Sequence, residues 1–485
     1  MVWRKLRRQI PSKHAGWSAN VTNDVLDLPL REVADLLRRR VVSPLELVRN
    51  ALERIRDQEP RLNAFARLTE SRAILAAEQA ERELAAGFWR GELHGVPVAV
   101  KDLYDIAGLP TTCSSKVRHD HIADDDSACV ERLLAAGAVI VGMTHTHEFA
   151  YGIMTPTTGN PWNVAHIPGG SSGGSGATVA ARGCFMAMGT DTGGSIRIPA
   201  SVCGVVGLKP TFGRVSRFGI ASLSWSLDHA GPIARTVGDC ATTLNVLAGY
   251  DSRDPGSADV PVDDYLVELE HGVQGLRIGV PSNFFFARVD PEVEQLVRHA
   301  ISTLQVEGAE IVDVKIPMAE MISPVEFGLC MPEASAYHRD MIHSRAELYQ
   351  PDVRTFLEAG MLLPAVDYIA AQRQRTLIQR EWQAMFRGID AIIGPSVPVA
   401  ATRRNEMMIN WPDGTEEPIS QVYVRLSAPA NVTGLPSVSL PCGFCQSGLP
   451  VGFQIIGRPF GEARILRIAR AYERLFQWGA VKPPC

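Results

Sequence analysis

Two glycine- and serine-rich stretches lie close together in this chain and constrain its fold more than any other feature. They are residues 169–180, GGSSGGSGATVA, and residues 189–200, GTDTGGSIRIPA. Such runs of small residues predict that the backbone comes close to a ligand or to neighbouring backbone. The first stretch lacks the lysine of a phosphate-binding G-x-x-x-x-G-K-[ST] loop. In the second, consecutive N–H groups can converge on one point, as stabilisation of an oxyanion requires. We therefore predict a serine nucleophile beside its oxyanion hole.

The size and charge of the chain favour a globular enzyme with a small-molecule substrate. Its 485 residues, 46% of them hydrophobic, can bury a large core. A formal net charge of −5 gives no general attraction to nucleic acid or to an anionic membrane. No apolar run reaches the roughly 18 residues of a spanning helix, and the basic start, residues 1–8, is followed by a polar segment rather than a signal-peptide core. We expect a cytoplasmic protein without membrane or nucleic-acid partners, and interpret the basic start as a solvated arm or a partner-binding tail.

Neither the cysteines nor the histidines form a convincing metal or disulfide pattern. Nine scattered cysteines are an odd number, which is typical of a reducing compartment. Cys442 and Cys445 form a C-x-x-C in a predicted turn after a strand, without the further ligands that zinc requires. His145 and His147 form an H-x-H, which we interpret as polar loop residues. The sequence predicts no metal and no cofactor.

The first 91 residues are predicted to be a helical scaffold. Apolar residues recur at helical spacing over 28–40, and residues 43–46, SPLE, supply an N-cap, a first-turn proline and a capping-box glutamate for the next helix, which is predicted to end at about residue 57. We expect residues 1–91 to pack on a catalytic core formed by residues 92–485. Within that core, residues 316–421 are predicted to be a variable excursion that shapes the substrate pocket.

Short apolar runs alternate with helical patterns in the core. Residues 96–100 and 139–142 are strand-like, and residues 127–138 are helical. This alternation predicts an α/β fold in which helices cover both faces of a mixed β-sheet, an α/β/α arrangement. Lys101 follows the first of these strands. It is either a solvated strand-end lysine or a desolvated one, whose lowered pKa makes a neutral amine available as a base.

A series of long motifs runs through the chain in a fixed order. They are GVPVAVKD, GGSSGGSGATVA, GTDTGGSIRIPA, GLKPTFGRVSRFG, LDHAGPIARTVGD, TGLPSVSLPCG and GLPVGFQIIGRPF. In this order and at these separations they resemble the amidase signature family of serine hydrolases. The resemblance covers nearly the whole chain.

This resemblance implies a Ser–Ser–Lys triad. Ser195 is then the nucleophile, Ser171 relays a proton, and Lys101 is the base. The resemblance also implies a cis peptide bond between Gly170 and Ser171, where the glycine reduces crowding. A serine hydroxyl is a weak nucleophile at neutral pH unless a positioned base takes its proton. The predicted oxyanion hole consists of the N–H groups of Thr192, Gly193, Gly194 and Ser195.

Of three residues beside the triad, Ser172, Asp191 and Arg197, the first and the last admit a second role. Residues 170–174 also satisfy the G-x-S-x-G nucleophile elbow, which would make Ser172 the nucleophile. We favour Ser172 as a hydrogen-bond partner close to the triad. Asp191 and Arg197 flank the nucleophile loop and are expected to form a charge-assisted pair that fixes it. A substrate contact is the alternative for Arg197.

The pocket and the substrate are less constrained. Tyr151, Met154 and Trp411 are candidate pocket residues, with ordinary packing as the alternative for each. Our first interpretation is a hydrolase of aryl or alkyl acylamides or of carbamates (urethanes) that works without a partner. One alternative is the glutaminase component of a tRNA-dependent amidotransferase, which has an obligate partner chain. The other is a non-catalytic binding protein on the same fold. The sequence leaves the oligomeric state open.

Overall fold

The computed structural model describes residues 25–484. The basic start and Cys485 therefore lie outside the described residues. The predicted boundary between residues 1–91 and 92–485 stays a prediction.

The helices and strands near the start of the chain follow the capping signals of the sequence. Ser43 Oγ accepts a hydrogen bond from the N–H of Glu46 at 3.2 Å, as the N-cap prediction requires. The helix that begins there runs to Leu62, five residues beyond its predicted end at residue 57, and Asn63 ends it in the left-handed conformation. These elements are α1 (Leu30–Arg38), α2 (Pro44–Leu62), β1 (Phe65–Leu68) and α3 (Glu70–Ala85).

The centre of the molecule is an eleven-stranded mixed β-sheet. Its further strands are β2 (Pro97–Lys101), β3 (Val139–Thr144), β4 (Met186–Asp191), β5 (Val206–Lys209), β6 (His229–Ala234), β7 (Arg277–Pro281), β8 (Glu310–Val314), β9 (Ala391–Pro395), β12 (Ser437–Phe444) and β13 (Pro450–Gly457). The strand order is β1-β3-β2-β4-β6-β5-β12-β13-β9-β7-β8. Strand β2 is parallel to both β3 and β4, whereas β12 and β13 form an antiparallel hairpin. A separate two-stranded ribbon consists of β10 (Met408–Asn410) and β11 (Glu416–Pro418).

Helices cover both faces of this sheet. The remaining helices are α4 (Ala128–Ala135), α5 (Gly173–Ala180), α6 (Arg197–Cys203), α7 (Val237–Leu247), α8 (Pro291–Val306), α9 (Ala319–Arg345), α10 (Pro351–Met361), α11 (Ala365–Met385), α12 (Ile419–Arg425), α13 (Ala428–Thr433) and α14 (Glu462–Glu473). Successive residues of a strand point to opposite faces. Val98 and Val100 of β2 accordingly join a core with α1 and α7, while Ala99 joins a second core with α2, α5 and α6. The α/β/α prediction is confirmed.

The two glycine-rich stretches sit at the carboxyl end of β4 and beside β2. The first leads into α5, and the second spans the end of β4, a loop and the start of α6. Glycine is required where backbone segments approach each other closely: a Cβ at Gly170 would lie 2.6 Å from the carbonyl carbon of Ile153, and one at Gly174 would lie 2.4 Å from the carbonyl oxygen of Ala64. The site is therefore built from tightly packed backbone.

Three long helices, α9 to α11, occupy most of the predicted excursion. Helix α9 has 27 residues and contains Pro324 and Pro332. Between residues 25 and 484 we find no helix with the length and apolar character that crossing a bilayer demands.

Candidate active site

Lys101, at the end of β2, is completely buried and surrounded by hydroxyl groups. Its Nζ lies 2.7 Å from Ser171 Oγ, 2.9 Å from Ser172 Oγ and 2.8 Å from Thr190 Oγ1. Burial lowers the pKa of the amine well below its usual 10.5, although the carboxylate of Asp191 acts in the opposite direction. The alternative of a solvated lysine is therefore wrong. The surroundings favour a neutral amine, which has a lone pair to accept a proton.

The two serines next to Lys101 differ in what their hydroxyl groups can do. Ser172 Oγ donates to the carbonyl oxygen of Thr190 at 3.2 Å and accepts from the N–H of Thr190 at 3.2 Å. Its proton is thus engaged, and Ser172 lies in the hydrogen-bond network as we predicted. For Ser171 Oγ, Lys101 Nζ is the hydrogen-bond partner within the described residues. The hydroxyl group of Ser171 can therefore pass its proton to Lys101 Nζ and take one from another group in exchange.

The backbone of Ser171 is fixed from two sides. The peptide bond between Gly170 and Ser171 is cis, as the resemblance implied. The carbonyl oxygen of Ser171 accepts from the N–H of His147 at 3.0 Å and from Thr155 Oγ1 at 3.1 Å.

Ser195 lies on the loop between β4 and α6, together with the predicted oxyanion donors. One of the four donors is already in use, because the N–H of Gly194 donates to Asp191 Oδ1 at 2.9 Å. That part of the prediction is wrong: the carboxylate shapes the loop by taking this N–H for itself. Within residues 25–484, the N–H groups of Thr192, Gly193 and Ser195 have no hydrogen-bond acceptor.

Asp191 and Arg197 form the predicted ion pair, and both side chains are completely buried. Arg197 Nη2 and Nε donate to the two carboxylate oxygens at 2.9 and 3.0 Å. Burial acts to raise the pKa of Asp191, but Arg197 outweighs it and holds the pKa well below 3.8. Arg197 also donates to the carbonyl oxygen of Ser427 at 2.8 Å and to Asn431 Oδ1 at 2.6 Å. Arg197 thus anchors the loop to α13, and the alternative of a substrate contact is wrong.

A cavity of about 70 Å³ opens beside Ser195 and has mainly apolar walls. Its lining consists of Ala150, Tyr151, Gly152, Ile153, Thr192, Gly193, Ser195, Leu223, Glu326, Phe327, Cys330, Phe356, Ser420 and Val424. Tyr151 is the one predicted pocket residue found there. A second cavity of about 570 Å³ shares Ala150 and Leu223 with the first.

The other two predicted pocket residues lie outside the lining of this cavity. Met154 packs in a small core with Ile153 and Tyr423 and does not line the cavity beside Ser195. Trp411 donates from Nε1 to Glu417 at 2.7 Å, and the guanidinium group of Arg425 lies 5.8 Å from the ring centroid. The indole ring lies among charged side chains near the β10–β11 ribbon. Trp411 is not part of the cavity wall.

Sequence reasoning missed three polar residues of the site. Thr190 contacts Lys101 and lies inside the GTDTGG stretch, and Asp228 accepts from Thr192 Oγ1 at 2.7 Å and lies inside the LDHAGP motif. Both could have been selected from those motifs. Glu326 of α9 lines the cavity in a segment without any motif, so nothing in the sequence marks it.

The histidine and cysteine motifs include residues that hold the fold together by hydrogen bonds and strand pairing. His147 Nδ1 accepts from the N–H groups of Met154 and Thr155, which leaves Nε2 to donate to Asp352 at 3.0 Å. Cys442 lies within β12 rather than in a turn. Across residues 25–484, no three His, Cys, Asp or Glu side chains are placed to hold a metal ion.

Comparisons of sequence and structure identify known proteins that are similar to this chain. The family model for amidases matches residues 46–466. An amidase of Pseudomonas putida is 53% identical over 93% of this chain and 96% of its own length. One component of the glutamyl-tRNA(Gln) amidotransferase of Anaeromyxobacter sp. (strain K) is 42% identical over 92% of this chain and 96% of its own. The crystal structure of a bacterial aryl acylamidase of the amidase signature family superposes with a TM-score of 0.85 at 27% identity, covering 93% of this chain and 97% of that one.

Proposed function

This chain belongs to the amidase signature family of enzymes, and on that premise we propose that it hydrolyses C–N bonds of small amides through an acyl-enzyme on Ser195. The observation that carries the proposal is the contact of a buried lysine amine with Ser171 Oγ, at 2.7 Å. A buried lysine with a lowered pKa, a serine hydroxyl in contact with it and a loop whose N–H groups are unpaired among residues 25–484 supply the parts of an acyl-transfer site.

In the proposed first half-reaction, Ser195 Oγ attacks the carbonyl carbon of the substrate. Its proton passes to Ser171 Oγ while the proton of Ser171 passes to Lys101 Nζ. The N–H groups of Thr192, Gly193 and Ser195 are the candidate donors to the oxyanion that forms. When the C–N bond breaks, the proton returns through Ser171 to the leaving nitrogen, which departs as an amine or ammonia.

In the second half-reaction, water attacks the ester carbonyl of the acyl-enzyme. Ser171 and Lys101 take a proton from that water and then return one to Ser195 Oγ as the acyl–oxygen bond breaks. The products are a carboxylic acid and the free enzyme. With a carbamate in place of an amide, the same steps release an amine, and the carbonic half-ester that follows loses carbon dioxide to give an alcohol.

The proposed substrates are alkyl or aryl acylamides, with carbamates as the second class. The mainly apolar cavity beside Ser195 supports an apolar substituent, and the aryl acylamidase with the same fold supports anilides. We place the enzyme in the cytoplasm, because the eight cysteines of the described residues are free thiols, as is usual in a reducing compartment.

A second candidate function is that of the glutaminase component of a tRNA-dependent amidotransferase. The observation that favours it is the 42% identity to a component of such an enzyme. This function requires glutamine as the nitrogen donor and a partner chain. Ammonia release from glutamine that depends on a partner would support it, whereas hydrolysis of anilides or carbamates by the isolated chain supports the first proposal.

The direct test is labelling with a fluorophosphonate followed by tryptic mapping. Cleavage after Arg182 separates the peptide with Ser171 and Ser172 from the peptide with Ser195. We expect the label on Ser195, its loss in Ser195→Ala and its persistence in Ser172→Ala. A label on Ser172 would assign the nucleophile to the elbow instead, and no label together with no turnover of any amide would overturn the proposal.

A further inference from the structure

One carboxyl group in the wall of the cavity beside Ser195 has a buried oxygen atom without a hydrogen-bond partner among residues 25–484. Glu326, on α9, is 2% exposed, and its Oε2 has no hydrogen-bond partner among the residues the structure describes. A Cβ at Gly193 would lie 2.8 Å from Glu326 Oε1. The carboxyl group therefore borders the loop that carries Ser195.

A second carboxyl group on the same helix shows what a purely structural role looks like. Glu333, two turns further along α9, accepts from Ser224 Oγ at 2.6 Å, Ser226 Oγ at 2.7 Å and Tyr368 OH at 3.0 Å. Glu326 has no such set of donors within residues 25–484, although both carboxyl groups are buried. Because an unsatisfied buried acceptor destabilises a fold, Glu326 Oε2 requires a donor that the described residues do not supply.

The two arginines whose charges lower the pKa of Glu326 make their hydrogen bonds elsewhere. Arg375 donates to the carbonyl oxygens of Val432 and Ser226, each at 2.9 Å, and Arg197 is paired with Asp191. Burial raises the pKa of Glu326 well above 4.5, and these arginines only partly oppose that shift. A carboxyl group accepts a hydrogen bond in its neutral form as well as in its ionised form. In its neutral form it also has an O–H donor, so a hydroxyl group, which both donates and accepts, can pair with Glu326 in either form.

The rest of the cavity specifies the shape of that partner. Around Glu326 the walls are formed by apolar side chains such as Leu223, Phe327 and Phe356. The hydroxyl oxygen of Tyr151 is also buried without a partner in the described part of the chain. An occupant must therefore be mostly apolar and carry at least one polar group.

We propose that Glu326 selects amide substrates that carry an amine or hydroxyl donor on a short apolar substituent, which enters the cavity beside Ser195. This inference rests on the proposed function, because it assigns the specificity of that same site. A pocket with an acceptor for a substrate N–H or O–H rejects an analogue without that group, since the acceptor then stays unpaired. Glu326 is on this view a specificity residue and not part of the proton relay.

The test compares substrates that differ by one methyl-to-hydroxyl exchange. The pairs are butanamide with 3-hydroxypropanamide, pentanamide with 4-hydroxybutanamide, and N-propylacetamide with N-(2-hydroxyethyl)acetamide. For each pair, kcat/KM of the hydroxyl member is divided by kcat/KM of its methyl partner. We expect this ratio to exceed about 10 in at least one pair for the natural enzyme.

The variants separate the acceptor from the shape of the cavity. Glu326→Leu should lower the ratio at least about tenfold, mainly through a lower kcat/KM for the hydroxyl substrate, and Glu326→Gln should keep a preference for the hydroxyl substrate. Cys330→Ala, one turn further along α9 in the same wall, is the control and should change both members of a pair alike. Labelling of Ser195 by the fluorophosphonate reports that each variant is folded, and Glu326→Met replaces the leucine variant if that one is not labelled.

The outcomes distinguish this inference from the proposed function. If the natural enzyme is labelled on Ser195 and hydrolyses amides, but the ratio is the same in the natural enzyme and in Glu326→Leu, the role of Glu326 is overturned and the proposed function stands. If the natural enzyme is not labelled and hydrolyses no amide, anilides included, both are overturned.

Discussion

The charge on one nitrogen atom governs the proposed chemistry. Lys101 can accept a proton only as a neutral amine, and burial among hydroxyl groups lowers its pKa well below 10.5. We expect kcat/KM to rise with pH through the pKa of Lys101 and to reach its plateau below 10.5. A pH–rate profile measures this, and a rising limb centred at 10.5 or above would contradict a desolvated base.

Substitution of the same lysine separates activity from folding. Lys101→Ala should lower kcat by about 10²- to 10⁴-fold, the range of a lost general base. The melting temperature should change much less than the activity. The substitution also removes an amine whose charged form is destabilised by burial. Near-normal activity with unchanged melting would contradict the role assigned to Lys101.

The two neighbouring serines provide a matched pair for the relay. Ser171→Ala should impair kcat more than Ser172→Ala, because the proton of Ser172 is held by the carbonyl oxygen of Thr190 whereas that of Ser171 is not. Steady-state kinetics with one anilide substrate make the comparison. The reverse order would place the relay on Ser172.

The residues that the sequence singles out for the proposed triad all belong to motifs. Lys101, Ser171 and Ser195 lie in quoted motifs, and the structure brings Lys101 and Ser171 into contact. Glu326 could not be found in this way, because its importance comes from the absence of a partner within residues 25–484, which only the packing of α9 against the loop reveals.

At the scale of an element, the loop between β4 and α6 depends on one carboxylate. Asp191 accepts from the N–H of Gly194 and binds Arg197 and Asn431, so it links the strand, the loop, α6 and α13. Asp191→Asn should lower the free energy of unfolding by about 3–5 kcal/mol, because it leaves Arg197 buried without its counter-charge. Activity should fall with it, since the loop carries Ser195.

An exposed ion pair is the control for this prediction. Glu358 lies 2.6 Å from Arg354 on the surface of α10, with 48% of its side chain exposed. Glu358→Gln should change the free energy of unfolding by less than about 1 kcal/mol. Thermal unfolding of both variants tests this. Similar decreases in the free energy of unfolding would contradict the prediction that Asp191 stabilises the fold more than an exposed carboxylate does.

Elements with local start and stop signals were predicted well, and elements held by tertiary packing were not. The cap at Ser43 predicts the start of α2, while its last turn extends past the predicted end. Helix α9 continues through Pro324 and Pro332, residues that normally interrupt a helix. Contacts with α10, α11 and α13 outweigh that local preference, and a single sequence does not show such contacts.

For the whole molecule, the first turn of α7 is a joint between distant parts of the chain. Asp239 Oδ1 accepts from the N–H of Leu30, at the start of α1, at 3.1 Å. Glu473, at the end of α14, accepts from the N–H of Val237 at 2.7 Å. Burial raises the pKa of Asp239 from 3.8 to about 6 and the pKa of Glu473 from 4.5 to about 7. These two carboxyl groups, whose pKa values burial raises toward neutral pH, connect the first described helix and the last helix to the core.

This joint gives the stability of the protein a defined pH dependence. Between pH 4.5 and 7 the folded state keeps a proton on Glu473 that the unfolded chain has released, so this contribution to stability is complete below 4.5 and lost as the pH rises through 7. Glu473→Gln, which stays neutral, should remove that loss. The melting temperature of the variant minus that of the natural protein should therefore increase from pH 4.5 to pH 7.5. The control is Glu294→Gln, at an exposed ion pair on α8, for which the difference in melting temperature should stay constant. A constant difference for Glu473→Gln would show that this carboxyl group does not retain its proton in the folded state.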